Sequence, residues 1–194
     1  MKYKVMLTMM LILSTGLIFA GDRMTVKDFT LEDYNGSQYR LSNFSDSKAV
    51  VLIFMSTRCP VSNSYNERIN KLYNLYVDKG FTFFGINANK TETKKEIETH
   101  TREHGFMFPI LVDKNNTVAD MLGAQVTPEA FVISPDREIL YHGRIDDSKD
   151  PNNVRSQELN DALTAILKDK PVMVPQTKAF GCSIKRTEIS SNGL

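Results

Sequence analysis

The stretch Val50-Val51-Leu52-Ile53-Phe54-Met55-Ser56-Thr57-Arg58-Cys59-Pro60-Val61-Ser62 decides how this chain is read. Up to Met55 it is continuous, apolar and rich in β-branched residues, the pattern of a parallel strand buried on both faces. After Cys59 the apolar period changes to 3.6. Val61, Tyr65, Ile69, Leu72 and Tyr76 fall on one helical face, and Gly80 closes the helix. Pro60 stands in the first helical turn, where the missing N–H costs nothing. Cys59 therefore sits at a strand-to-helix junction. Unpaired N–H groups and the helix dipole favour a thiolate there, and Arg58 adds positive charge next door. A thiol so placed is acidic and nucleophilic, which is the chemistry of thiol redox proteins. The competing reading is a small buried hydrophobe.

Working outward, Asp33-Tyr34-Asn35-Gly36 lies between two short strand-like pieces, Phe29–Leu31 and Gln38–Leu41, and Asn-Gly is a strong hairpin signal. Phe81 to Ile86 is a second buried strand. Thr93 with Glu96 makes a capping box for a charged helix that runs to His104 and stops at Gly105. Phe108 to Val112 reads as a short strand and Thr117 to Leu122 as a short helix stopped by Gly123. Ala130 to Ser134 is a strand, Pro135-Asp136 a turn, and Ile139 to Ile145 its antiparallel partner. Ser156 can cap a last helix with Leu159, Ala162, Leu163, Ile166 and Leu167 inward. Alternating strands and helices, then a hairpin, then a helix, give an α/β sandwich with a mixed central sheet.

The chain has 194 residues and a formal net charge of +1, with no basic cluster, so nucleic-acid binding has no support. Residues 1–20 read as a secretory signal: Lys2 and Lys4 form a basic start, Val5 to Ala20 carries no charge, and Ala20 is a cleavage residue. The competing reading is an uncleaved membrane anchor, although the stretch is shorter than the ~20 apolar residues of a span. Either way the protein is exported, periplasmic or extracellular, or anchored facing outward. Residues 21–170 form one domain, and 171–194 a polar tail that is ordered by docking if at all. There are only two cysteines, Cys59 and Cys182, and an exported protein with an even count admits one disulfide.

The order of elements, with these residues, resembles the thioredoxin fold, a three-layer sandwich with helices on both sides of a mixed β-sheet. Phe54 to Ser62 looks like the active-site segment of the periplasmic thioredoxin-like reductases, Phe-Trp-Ala-Thr-Trp-Cys-Pro-Pro-Cys. Val126-Thr127-Pro128 looks like the cis-proline loop that faces the cysteine. The stretch from about Val26 to Lys168 is similar to the redoxin family, which includes alkyl hydroperoxide reductases and thiol-specific antioxidants. Thr-Pro-Glu-Ala-Phe (127–131), Gly-Arg-Ile-Asp-Asp (143–147) and Gly-Cys-Ser-Ile-Lys (181–185) point to a peroxiredoxin-like branch. Ser62 replaces the second thioredoxin cysteine, so a Cys-x-x-Cys cycle is impossible. The strand before Cys59 lacks the carboxylate thioredoxins tend to place there. Leu52 and Ser56 stand where peroxiredoxins place a proline and a threonine, which aligns Cys59 with the first thioredoxin cysteine.

The resemblance implies a thiol–disulfide oxidoreductase with Cys59 as redox nucleophile. A thiol peroxidase is the alternative. A copper-binding module using Cys59, Cys182 and a histidine is a second one. Ser62, one turn after Cys59, is expected to offer its hydroxyl to the thiolate, or else to bond its own backbone. Pro128 is expected in cis, with Thr127 presenting its backbone to a bound disulfide or peptide. Pro60 and Arg58 line the substrate face, and Glu129 is a candidate for proton transfer. Cys182 either resolves a mixed disulfide or sulfenic acid on Cys59, staples the tail, or stays an independent thiol; Gly181 frees the backbone to bring its sulfur close. His100 and His104 read as a solvated helix face rather than a metal pair, and His142 as pointing outward. Arg144, Asp146 and Asp147 form a turn with an ion pair, or line the cleft. No cofactor motif is present. The partners implied are a protein disulfide or hydroperoxide substrate and a thiol-protein electron donor.

Overall fold

The computed structural model describes residues 24–186, so the signal segment read at 1–20 lies outside the described residues. The elements run β1 (Thr30–Asp33), β2 (Gln38–Arg40), β3 (Ala49–Phe54), α1 (Pro60–Asn63), α2 (Asn66–Tyr76), β4 (Phe81–Asn87), α3 (Lys94–Glu103) and β5 (Ile110–Val112). They continue with α4 (Thr117–Leu122), β6 (Val126–Thr127), β7 (Glu129–Ile133), β8 (Ile139–Gly143), α5 (Glu158–Leu167) and β9 (Cys182–Ser183). A seven-stranded sheet has the order β2-β1-β5-β4-β3-β7-β8, and β6 and β9 form a separate pair. β3, β4 and β5 are parallel, while β7 and β8 join antiparallel on one side and β1 and β2 on the other. This is the mixed central sheet expected.

β3 is buried at every position because it feeds two cores. Val51 and Ile53 pack with Ile69 and Tyr76 of α2, Ile97 of α3 and Leu159 and Leu163 of α5. Val50, Leu52 and Phe54 pack on the opposite face with Val118 and Leu122 of α4, and with Ile184 from the tail. The strand's continuous apolar run follows from having helices on both sides. The hairpin turns at Asn35-Gly36, where Asp33 Oδ1 accepts the N–H groups of Asn35 and Ser37. Thr93 and Glu96 form the expected reciprocal capping box on α3.

Two helix expectations are corrected. The helix after Cys59 is not continuous: α1 ends at Asn63, α2 starts at Asn66, and a 3₁₀ turn follows at Val77–Lys79. At the break, Ser64 Oγ donates back to the Val61 carbonyl at 2.7 Å and the Tyr65 N–H bonds the Ser62 carbonyl, tightening the turn. Ser156 does not cap α5. The cap position is Gln157, and the Ser156 hydroxyl donates to the Glu158 carboxylate instead. Arg144 pairs with that same Glu158, Arg68 with Asp146, and Asp147 accepts the N–H groups of Arg155 and Ser156. The 143–147 segment thus ties its charges to α5 through Arg144, to α2 through Asp146 and to the 155–156 loop through Asp147.

The tail docks along the domain. His142 exchanges backbone hydrogen bonds with Pro175 and Thr177, and Cys182–Ser183 pairs antiparallel with Val126–Thr127. Gly143, at φ 150°, has no room for a side chain, since a Cβ there would lie 2.1 Å from Thr177 Oγ1. Among the described residues no helix is long and apolar enough to cross a membrane.

Candidate functional site

β3 ends at Phe54, and the next five residues turn the chain into α1 with Cys59 in the N-cap position. The Cys59 sulfur accepts the Ser62 N–H at 3.3 Å, so one unpaired donor of the helix terminus points at it. The loop is held by a carboxylate that sequence reasoning did not single out. Glu92 accepts the Ser56 hydroxyl at 2.5 Å, the Thr57 N–H and hydroxyl at 2.7 Å each, and the Asn87 amide at 2.7 Å. The Ser56 oxygen in turn accepts the N–H of Cys59 at 3.1 Å and of Arg58 at 3.2 Å. Behind this loop, Asn63 donates to the Thr57 carbonyl, and its Oδ1 lies 2.9 Å from His100 Nε2.

Opposite Cys59 stands the Thr127–Pro128 bond, which is cis. The Thr127 carbonyl oxygen is 3.4 Å from the Cys59 sulfur. Cys182 pairs across from Thr127, and its sulfur is bonded to that of Cys59 in a disulfide with a Cα–Cα distance of 5.9 Å. Cys59, Ser62, Thr127, Pro128 and Cys182 are thus gathered at one point. Cys59 is 3% exposed, whereas Cys182 is half-buried. Pro60 begins α1 at the exposed rim.

Several site expectations change. The Ser62 side chain is buried and its oxygen accepts the Ser56 N–H at 3.2 Å; the backbone, not the hydroxyl, reaches the sulfur. The Arg58 guanidinium is exposed and pairs with Glu96, away from the sulfur. Glu129 is no free acid. Its Oε2 accepts the N–H groups of Gln125 and Val126 at 2.7 and 3.1 Å, and Oε1 meets His142 Nε2 at 2.6 Å. Burial alone would raise its carboxyl, but these hydrogen bonds outweigh burial and hold it below the usual carboxylate range. Glu129 therefore clamps the loop before Pro128. His142 does not point into solvent: it stacks on Phe131 at 4.1 Å under the tail. His100 does not sit on a solvated face either. It is half-buried against Asn63 and Asn66, and burial, with the neighbouring His104, pushes it down to about 4. In the disulfide neither sulfur is available as a thiolate ligand, and among the described residues no three His, Cys, Asp or Glu side chains group as a metal site.

A mixed sheet with a cysteine capping the short helix that follows its central strand β3, facing a cis-proline loop, defines a thioredoxin-like redoxin. The chain belongs to the AhpC/TSA family, whose pattern matches residues 23–142. It is 31% identical over 113 residues to the thiol-disulfide oxidoreductase ResA of Halalkalibacterium halodurans, a match spanning 58% of this chain and 62% of that protein. Among solved structures it is similar to a hypothetical protein, SMc02350, from Sinorhizobium meliloti 1021, with 32% identity and a TM-score of 0.79 over 85% of this chain and 94% of the other. An uncharacterized conserved protein from Geobacillus kaustophilus gives 28% identity and a TM-score of 0.79 over 85% and 92%.

Proposed function

We propose that this chain is an exported thiol-disulfide oxidoreductase of the redoxin type, with 1–20 as its signal, 21–170 as the redoxin domain and 171–194 as the tail that carries its second cysteine. The observation that carries the reading is the Cys59–Cys182 disulfide at the N-terminus of α1, against the cis-proline loop. Reduced Cys59 is the nucleophile. Its thiolate attacks a substrate disulfide, forming a Cys59–substrate bond and releasing one substrate thiol. The Cys182 thiolate then attacks the Cys59 sulfur, releases the second substrate thiol and leaves the pair oxidised as it stands here. A partner thiol protein returns two electrons. The ResA relatives support this chemistry, and the chain's match spans 62% of the length of the relative from Halalkalibacterium halodurans.

Family membership also brings a peroxidase reading, in which a hydroperoxide oxidises Cys59 to sulfenic acid and Cys182 condenses with it. Two observations count against it. Leu52 stands where peroxiredoxins place a proline, and the Ser56 hydroxyl, three residues before Cys59, is taken up by the Cys59 and Arg58 N–H groups and by Glu92. The reduced protein should therefore turn over a model disulfide faster than hydrogen peroxide, with mass spectrometry finding the intramolecular disulfide as product. Turnover of peroxide alone would overturn the assignment.

A further inference from the structure

The tail does more than bring Cys182 to Cys59. Residues 181–186 lie extended in a slot that reads them position by position. Val126 pairs with Ser183 and Thr127 with Cys182, and the Ile184 N–H donates to the Gln125 carbonyl at 3.0 Å. The Lys185 carbonyl accepts the Lys90 N–H at 2.8 Å, and its N–H donates to Asn89 Oδ1 at 2.9 Å. These contacts use backbone, so any extended polypeptide can make them. Three positions are selective. At Gly181, with φ 156°, a Cβ would fall 2.0 Å from the Thr127 carbonyl oxygen, and backbone cannot yield. Ile184 is 5% exposed and sits in the core cluster with Leu122 and Ala124. Arg186 pairs with Asp120 and donates to the Ala124 carbonyl. Ser183 between them is exposed.

We propose that this slot is the substrate site, and that it takes an extended polypeptide with glycine directly before the reacting cysteine, an aliphatic residue two places after it and a basic residue four after. The chain's own tail is the resident competitor. The proposal rests on Cys59 being the nucleophile. Tail and substrate use the same backbone edge of Thr127, so they occupy it in turn. While the disulfide stands, the tail is bonded in place and the slot is shut. Reduction leaves the tail held by non-covalent contacts alone, and substrate enters as the tail leaves. The tail's return, tethered at an effective concentration in the millimolar range, brings Cys182 back and drives the substrate out.

The test uses the full chain carrying Cys182→Ser, reduced, and a synthetic peptide of sequence Phe-Gly-Cys-Ser-Ile-Lys-Arg whose cysteine is activated with 2-nitro-5-thiobenzoate. Cys59 thiolate attacks the peptide sulfur, a Cys59–peptide disulfide forms, and the coloured thiolate leaves. Replacing the peptide's glycine by alanine, or its isoleucine by serine, should slow this release by about tenfold or more. All arms use one protein preparation, so folding of the variant does not enter the comparison. Equal rates for the three peptides, with reaction at Cys59 intact, would overturn the slot while leaving the oxidoreductase reading in place. No reaction of Cys59 with any of them, or with activated glutathione, would overturn that reading itself. Adding Ile184→Ser to the Cys182→Ser chain should loosen the competitor and speed the parent peptide several-fold; an unchanged or lower rate would mean that the tail does not compete.

Discussion

Glu92 holds Cys59 in place without touching it. The Ser56 hydroxyl lies between them, donating to Glu92 Oε1 at 2.5 Å and accepting the Cys59 N–H at 3.1 Å. The same carboxylate also fixes Thr57 twice and Asn87 once. Glu92→Ala would leave four donors without their acceptor. Leaving such groups unmet costs about 1–3 kcal/mol, and the loop that aims the sulfur would loosen with it. Thermal unfolding should show the loss, and iodoacetamide should alkylate reduced Cys59 more slowly. Glu92→Gln, which keeps the shape and one acceptor oxygen, should fall between the two. Wild-type values for both measurements in the alanine variant would remove Glu92 from the site.

Alkylation of reduced Cys59 against pH should give a midpoint below the free-cysteine value of about 8.5. The cause is the helix terminus, through the Ser62 N–H. Arg58 is exposed and paired with Glu96, so Arg58→Gln should leave that midpoint nearly where it was. A large rise in this variant would restore Arg58 to the role its place beside Cys59 suggested.

His100 gives the fold a slope in acid. Burial, with His104 close by, pushes its pKa down to about 4 from the 6.5 of a free histidine. The unfolded chain therefore binds a proton that the folded one refuses between those two values, and stability falls as pH drops through that window. Above 6.5 the contribution is fully present; below about 4 it has been lost. Urea unfolding at a series of pH values should show the slope, and His100→Asn should flatten it. A variant with the wild-type slope would point to another titrating group.

Gly143 tests the docking of the tail apart from its sulfur. A Cβ there would meet Thr177 Oγ1 at 2.1 Å, so Gly143→Ala should push the 175–177 segment off β8. Under oxidising conditions the disulfide still holds the far end. Limited proteolysis should then cut the variant between Lys168 and Lys178 faster than the wild type. Equal resistance would mean that the segment finds another seat.

Much of the fold could be read from local pattern because local pattern caused it. The run Val50–Phe54 is apolar at every position since both faces are covered, and Thr93 with Glu96 caps α3 by contacts three residues apart. What escaped reading depends on partners far away in sequence. Glu92 meets Ser56 and Thr57 across more than thirty positions. A strand's alternation sends His142 to the face opposite Tyr141, where Glu129 and Phe131 of the neighbouring strand meet it, and the pattern of β8 alone does not register those partners. Arg58 looked like a neighbour of the thiol, yet adjacency in the chain does not set where a long side chain goes. The break at Ser64 is a contest between a serine hydroxyl and the helix backbone, which periodicity does not register.

Cys182→Ser separates a resolving thiol from a staple. In the chain-entropy model a bridge across 123 positions stabilises by about 4–5 kcal/mol, so the variant should unfold more easily whichever role Cys182 plays; stability does not discriminate. Turnover does. A resolving thiol is needed in every cycle, because Ser62 leaves no second sulfur beside Cys59. Without Cys182, the first attack on a substrate disulfide should still occur and then stop, and mass spectrometry should find substrate trapped on Cys59. Under mild reductant the wild-type disulfide should open and re-form with each turnover, where a staple would persist. The donor must be one that does not itself resolve Cys59, since small thiols would mask the loss. If the variant then turns over disulfide and peroxide at wild-type rates, Cys182 is a staple and the cycle proposed for this chain is wrong.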